Sequence, residues 1–548
     1  MVRKRLVIIA GAAALAVFSV RLDASDLPIA VEKSGPKKSG FYTFWNADRE
    51  FGLGLGTFQN QSCAPVQGEA PYAGNLLLDC DAEVPHNETS IATNPNDPLH
   101  AVGAFHTYHL TGTGNKVHAT IQSTPSVTTD GGLTWHHVVP PITPYQFSGD
   151  PAVAFDLNGR IYLASIADHE GDGGSNYTGP SVVVQYSDNG GSVWTNPVTV
   201  ASGKGAVDKN GGGQLVFQDK EFIAVDQSPA SPRQNRAYVT WTSFREFFSP
   251  NKALFRSPIM VSTSDDGRHW SNGAEISGSS NDFCGGPCSF NQFSSPTVAP
   301  GGTTYVAFEN FNTPAENQYL VVSSTDGGRT WGAPSRAGTI FDINFTPTGF
   351  GDVSLTGCAF RIAAPGNAAA DPSDPTGNTL YVAWADNRNG TAASTNTDVI
   401  LARSTDGGAN WAEHVIDDSA NDQFYAWVAV AKDGRVDVGY MDRSWASPTD
   451  QKICQYGFSL TRLTFDGAGA IATSTKSQID SGLSDPGHSR WFSGATGGNS
   501  LFIGDYNGVA TGSDGKTWSL WTDQRALVAD PPSPSRNHGQ HAVGAITP

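Results

Sequence analysis

Charge is scarce in this chain. Of 548 residues, 34 are Lys or Arg and 52 are Asp or Glu, 16 % in all against a usual ~25 %. Long charged helices and coiled coils are excluded as the main theme. Positive charge is scarcest, and a formal net charge of −18 repels phosphate backbones and anionic lipid heads, so no nucleic-acid partner is expected. No basic patch follows the first five residues. Cysteine is also sparse, at six. The even number suits disulfides in an oxidising compartment, and the Cys284 and Cys288 spacing lacks the second Cys or His pair that a zinc site needs. Cys284 with Cys288 can close a small loop, Cys63 and Cys80 flank a short segment, and Cys358 with Cys454 would join distant parts; six cysteines allow many connectivities. Long hydrophobic runs are missing except Leu6 to Val20, which follows Arg3, Lys4 and Arg5 and precedes Ala24. That run is short of the ~20 residues of a membrane span and reads as a secretory signal over residues 1–24, with an uncleaved anchor as the alternative. A secreted, extracellular or periplasmic protein with no further membrane span is expected.

Turn formers and aromatics are abundant. There are 61 glycines and 33 prolines, with 10 % aromatic and 38 % hydrophobic residues, enough apolar surface to exclude wholesale disorder. A short box, Ser/Thr-x-Asp-x-Gly-x-x-Trp, recurs at Thr128 to Trp135, Thr263 to Trp270, Ser324 to Trp331 and Ser404 to Trp411, and at Ser187 to Trp194 with Asn189 in the Asp position. Each of the last four follows a β-rich run, so the box predicts a hairpin turn with the Trp packed beneath it. Upstream of each box lies a pair of apolar strands, the second ending in a polar residue. Seven such pairs, from Ser90 with Ala101 to His106 through to Gly508 with Thr517 to Asp523, predict seven blades of four antiparallel strands. Thr511 to Trp518 resembles a box, but Ser513 holds the Asp position and the segment aligns with a second strand; Thr464 to Ile471 is the degenerate sixth box.

These repeats resemble the Asp boxes, or bacterial-neuraminidase repeats, of the sialidase superfamily. The resemblance implies an all-β fold, a seven-bladed β-propeller with six blades as the alternative, over residues 86–525. Residues 25–85 form an N-terminal segment that supplies a closing strand, such as Leu76 to Cys80, and residues 526–548 a C-terminal tail. The family places its boxes on the face opposite the active site.

In that topology the residues before each inner strand and after each second strand converge on one pocket. The entrances are Glu88, Asp150, Lys220, Ser295, Arg361, Tyr425 and Tyr506, with Asp219 and Asp505 beside two of them. The exits add His106, Asp168, Glu309, Asp386 with Arg388, Asp442 with Arg443, and Asp523 with Arg525. The polar entrances either cap strands around a solvated channel or form a site; the Asp-Arg exits are either local ion pairs or guanidiniums aimed at a substrate carboxylate. Blade five reads Phe360-Arg361-Ile362-Ala363, then Asp386-Asn-Arg388. By resemblance to the sialidase first blade, Arg361 and Arg388 bind a carboxylate, although Ala363 replaces the family's Pro and no general acid follows. Arg443, Arg525, Lys220, Tyr425 and Asp219 complete the expected substrate-binding set.

Two mechanisms follow. Tyr506, where the family's nucleophilic Tyr belongs, is activated by Asp505 or Glu88, or Glu88 and Asp150 act on a neutral sugar as an acid and base pair. The expected function is a sialidase-like exo-glycosidase acting on a glycan as a monomer. The alternatives are a hydrolase or lyase on another polysaccharide and a propeller that binds a glycan or protein without turnover. No cofactor is required; Asp168, Glu170 and Asp172 resemble the start of a calcium loop, the alternative being a solvated acidic loop.

Overall fold

The computed structural model describes residues 61–63, 74–79, 85–113, 116–169, 179–207, 212–249, 252–312, 317–341, 355–358, 360, 362, 366–391, 394–446, 454–486, 502–525 and 540–548. The strands assemble into seven antiparallel blades of a β-propeller. From blade 1 to blade 7 the inner strands are His86–Asn94, Phe147–Phe155, Gly213–Val225, Asn291–Val298, Asn367–Ala370, Gln423–Val430 and Gly508–Thr511.

The second strands are the apolar runs of the sequence. Ile161–Asp168, Leu380–Asp386 and Val436–Asp442 are buried at every position, because neighbouring blades cover both of their faces and leave no solvent side that would favour alternation. Between blades 4 and 5, for example, Tyr319, Val321, Val382 and Trp384 share one core, and between blades 5 and 6 Tyr381, Ala383, Val438 and Tyr440 share another.

The ring closes with strands from both ends of the chain. In blade 7 the second strand, Thr517–Asp523, pairs with His541–Thr547, which in turn pairs with Leu76–Leu77. The N-terminal segment thus gives the outermost strand, as its apolar Leu76 and Leu77 suggest. Residues 541–547, expected in a tail, are instead the third strand. Without them the edge of Thr517–Asp523 would present unpaired amides next to blade 1. The closure is pinned by Asp79, whose Oδ2 lies 2.9 Å from His86 Nδ1 and 3.0 Å from His541 Nδ1 and accepts from the Ala542 amide at 3.2 Å. Burial alone would raise the Asp79 pKa, but His541 and His86 outweigh it and hold it below its ordinary value.

The repeated Ser/Thr-x-Asp-x-Gly-x-x-Trp turns link third strands to fourth strands. At Thr128 to Trp135, Asp130 accepts from the Thr128 hydroxyl at 2.8 Å and the Thr134 amide at 2.9 Å; Asn189 does the same from Ser187 and Val193. The degenerate Thr464 to Ile471 also turns here, with Asp466 accepting from the Ala468 and Ala470 amides. Since Ala101 pairs with Thr128 while Thr107 pairs with His86, these turns lie on the face away from the inner-strand entrances. Disulfides join Cys284 to Cys288 and Cys358 to Cys454; Cys80 lies outside the described residues. Among the described residues no helix is long and apolar enough to cross a membrane.

Candidate functional site: a carboxylate cluster at the channel mouth

The mouth is built by a defect that the sequence repeats. In five blades the pairing of the inner strand with the second strand slips by one residue, between Asn87 and Ser90, Gly149 and Ala152, Asp219 and Phe222, Gln292 and Ser295, and Phe424 and Trp427. Each bulge holds one non-glycine residue in the left-handed region: Glu88 at φ 53°, Asp150 at 55°, Lys220 at 50°, Phe293 at 54° and Tyr425 at 54°. Such a conformation costs on the order of 1 kcal/mol per residue, and strain of this kind clusters where side chains must be aimed. Four of the expected entrances are therefore bulge residues. In blade 4 the bulge falls on Phe293, not on Ser295, whose hydroxyl accepts from the Ala368 amide of the next blade at 3.0 Å. The alignment fails there because Pro296 occupies the apolar position that Ile91, Val153, Ile223 and Val428 fill in the other bulged blades.

Three carboxyls converge on one ammonium. Lys220 Nζ lies 3.1 Å from Glu88 Oε1, 2.9 Å from Asp150 Oδ2 and 2.8 Å from Asp505 Oδ2, linking blade 3 to blades 1, 2 and 7. None of the four side chains is more than 5 % exposed. Burial disfavours the charged lysine, yet Asp150, Asp505 and Glu88 raise its pKa well above the ordinary value, so it stays a cation. Burial likewise works against an ionised Asp150, and Lys220 overcomes it and keeps that carboxyl well below its usual range. Glu88 goes the other way. Its burial, with the negative charges of Asp150 and Asp505, raises its pKa well above 4.5 despite Lys220. Burial and the neighbouring carboxylates thus favour the protonated form of Glu88, while Lys220 favours the ionised form of Asp150.

His106, an exit residue that the sequence reading gave no catalytic or binding role, completes the cluster. Its Nε2 stands 3.3 Å from Glu88 Oε2 and 3.4 Å from Asp150 Oδ1, and burial lowers its pKa. Glu221 was missed altogether. It is buried beside Lys220, neither carboxylate oxygen has a hydrogen-bond partner among the described residues, and burial followed by the charge of Asp150 raises its pKa well above the ordinary value. The run Asp219-Lys220-Glu221, three ionisable residues inside an apolar strand, was the available signal.

Both tyrosine hydroxyls are bonded to backbone carbonyls. Tyr506 donates its hydroxyl to the Pro151 carbonyl at 3.2 Å, and its ring packs against Phe222 and Trp427. Burial, then Glu88, Asp150, Glu221 and Asp505, push its phenol pKa well above 10.0. Tyr425 donates to the Gly504 carbonyl at 2.6 Å. Asp219 accepts from Gln292 Nε2 at 3.3 Å, toward blade 4.

The described guanidiniums are engaged away from the cluster. Asp386 receives Trp384 Nε1 at 2.8 Å and Arg388 Nε at 2.9 Å, while Arg388 Nη1 reaches Glu413 at 2.9 Å. Blade 7 repeats the clasp with Trp521, Asp523 and Arg525, the last also bonded to Asn75 and Ser481. Arg443 bonds Asp422 at 2.6 Å and the Thr356 carbonyl at 3.1 Å. In blades 5 and 7 these are local ion pairs within the exit, whereas in blade 6 Arg443 pairs with Asp422 and Asp442 with Lys476. Arg361 lies outside the described residues.

Glu88, His106 and Asp150 are the one group, among the described residues, whose ligating atoms lie within 4.8 Å of one another. The Lys220 ammonium already pairs with Glu88 and Asp150, and the Asp150 amide takes the His106 Nε2 lone pair at 2.5 Å, so the donor set does not fit a metal ion. Of the expected calcium ligands, Asp168 caps its own strand by accepting from the His169 amide at 2.8 Å. Glu170 and Asp172 lie outside the described residues.

No family model matches the chain, and no curated protein matches it. Solved structures with a similar fold include a protein of unknown function from Dyadobacter fermentans, at 15 % identity over 68 % of this chain and 94 % of that one, with a TM-score of 0.41. Others are the NanB sialidase from Streptococcus pneumoniae, at 10 % identity over 90 % and 95 % with a TM-score of 0.40, and an alpha-L-arabinanase from Penicillium chrysogenum, at 12 % over 67 % and 93 % with a TM-score of 0.39. At these values the likeness assigns no activity.

Proposed function

We propose that the protein is a secreted glycoside hydrolase that acts on a sugar without a carboxylate at the reacting carbon, with Glu88 as general acid and Asp150 as its ionised partner. The observation that carries this reading is the convergence of Glu88 and Asp150, each in a left-handed bulge, on the Lys220 ammonium, with burial favouring a protonated Glu88 and Lys220 an ionised Asp150. Glycosidic bonds break when one carboxylic acid protonates the leaving oxygen and a second carboxylate attacks carbon or activates water. In this reading Asp150 acts as the second carboxylate, the base or nucleophile of the pair. Lys220 keeps Asp150 ionised, and Asp505 balances the lysine.

A sialic acid fits this site less well. Its carboxylate would meet Asp150 and Asp505, and Arg388, Arg443 and Arg525 are all occupied elsewhere. A second reading, a propeller that binds its glycan or protein partner without turnover, is favoured by the depth of the cluster, since Glu88 and Asp150 are only 1 % and 4 % exposed. A panel of 4-nitrophenyl glycosides covering neutral pyranosides, furanosides, uronides and a sialoside separates these readings. Release from a neutral glycoside supports the proposal, release from the sialoside alone replaces it with a sialidase, and release from none leaves the binding propeller.

A further inference from the structure

We propose that His106 is a positioning residue that fixes where the proton of this cluster resides. It is held as a neutral imidazole with its hydrogen on Nδ1, and its Nε2 lone pair anchors the Asp150 bulge and keeps Glu88 protonated. The hydrogen bonds settle the tautomer from two ends. At one end the Phe502 carbonyl can only accept, so it is Gln540 Nε2 that contacts it, at 2.5 Å. Gln540 Oε1 then faces Asn87 Nδ2 at 2.9 Å. Asn87 Oδ1 is left to accept from the Tyr108 hydroxyl at 2.8 Å and from His106 Nδ1 at 3.1 Å, with the Tyr108 oxygen itself 2.7 Å from Nδ1. At the other end the Asp150 backbone amide can only donate, and it meets Nε2 at 2.5 Å. Both ends require hydrogen on Nδ1 and a lone pair on Nε2.

The consequence falls on Glu88. A lone pair 3.3 Å from Glu88 Oε2 and 3.4 Å from Asp150 Oδ1 repels ionised oxygen. A proton on Glu88, donated to Asp150, removes that repulsion, whereas an imidazolium would favour two carboxylates. The charged and titratable groups that face the ring are Glu88 and Tyr108 of blade 1, Asp150 of blade 2, Lys220 of blade 3 and Asp505 of blade 7. Lys220 opposes a second positive charge, and the ring is 1 % exposed. The Asn87, Gln540 and Tyr108 side chains thus act on the acid through His106.

The kinetic half of this inference rests on the glycosidase reading; the tautomer does not. The test is long-range 1H–15N correlation spectroscopy on the full chain with labelled histidine, His106 being assigned from the signals lost in His106→Gln. A protonated Nδ1 and bare Nε2, unchanged from pH 5 to 8, are expected. Hydrogen on Nε2, or an imidazolium at pH 7, overturns the proposal. Asn87→Asp places a carboxylate at Nδ1, which favours the imidazolium, so His106 should titrate within the window. The basic limb of glycoside hydrolysis should move down by about one pH unit, because a cation now stabilises ionised Glu88. A histidine that only packs would leave the limb in place, and that result overturns the proposal. If no glycoside is cleaved the catalytic reading of Glu88 falls, and the nitrogen spectra alone decide the tautomer.

Discussion

The Tyr506 hydroxyl, from blade 7, donates to the carbonyl of Pro151 in blade 2, at 3.2 Å. A phenol that attacks an anomeric carbon needs an acceptor that can take its proton, and a peptide carbonyl cannot. Tyr506→Phe should therefore lower stability by about 1 kcal/mol, the worth of one buried hydrogen bond, in urea unfolding. Glycoside turnover should stay within a few-fold of wild type. A loss of orders of magnitude with the fold intact would restore Tyr506 as nucleophile.

Glu88 gives a pH dependence with a defined sign. Its folded pKa lies well above 4.5, so the folded state keeps a proton that the unfolded state releases. The stabilisation is fully present below pH 4.5 and is lost as pH rises toward the folded value, at ~1.4 kcal/mol per pH unit. Glu88→Gln mimics the protonated form and removes that slope. Its stability relative to wild type should grow between pH 5 and 8 in chemical denaturation; a constant difference would mean that Glu88 is ionised.

The paired clasps in blades 5 and 7 are structural. Arg525→Ala leaves Asp523, wholly buried, with only Trp521 and local amides, and should cost about 3 kcal/mol, as for other broken buried ion pairs. Arg388→Ala should cost less, since Arg388 is partly exposed. Neither should raise KM at a temperature where the variant is folded. A KM effect without a stability effect would return these residues to substrate capture.

Much of this arrangement was legible in the sequence, for identifiable reasons. The turns at Thr128 to Trp135 and its repeats mark blade edges because Asp, Gly and Trp each satisfy a local need there. Glu88, Asp150 and Lys220 were legible as entrances because a three-residue offset to Ile91, Val153 and Ile223 repeats. Their pairing through Lys220 was not, since it depends on which blades face one another across the channel. The role of the Asp-Arg exits was equally hidden: an Arg two residues after an Asp can turn back to it or outward, and only the Trp384 and Trp521 amines beneath Asp386 and Asp523 show which. The strand at His541–Thr547 was missed because no box or apolar pair precedes it.

The two disulfides should differ in weight. Cys358 and Cys454 are 96 residues apart and Cys284 and Cys288 only 4, which by loop-closure entropy corresponds to roughly 4–5 against about 2 kcal/mol. Replacing both cysteines of the long loop by serine should lower Tm clearly more than the same change in the short one. Equal effects would show that native-state packing, not the closed loop, dominates.

The most direct test of the central claim is the steady-state rate on a neutral glycoside that the wild type cleaves, compared across Glu88→Gln, Asp150→Asn and Tyr506→Phe at one pH. A carboxylic acid and its partner predict a loss of at least about a hundredfold in each of the first two and near-wild-type turnover in the third. Full activity in Glu88→Gln, with only Tyr506→Phe inactive, would contradict it.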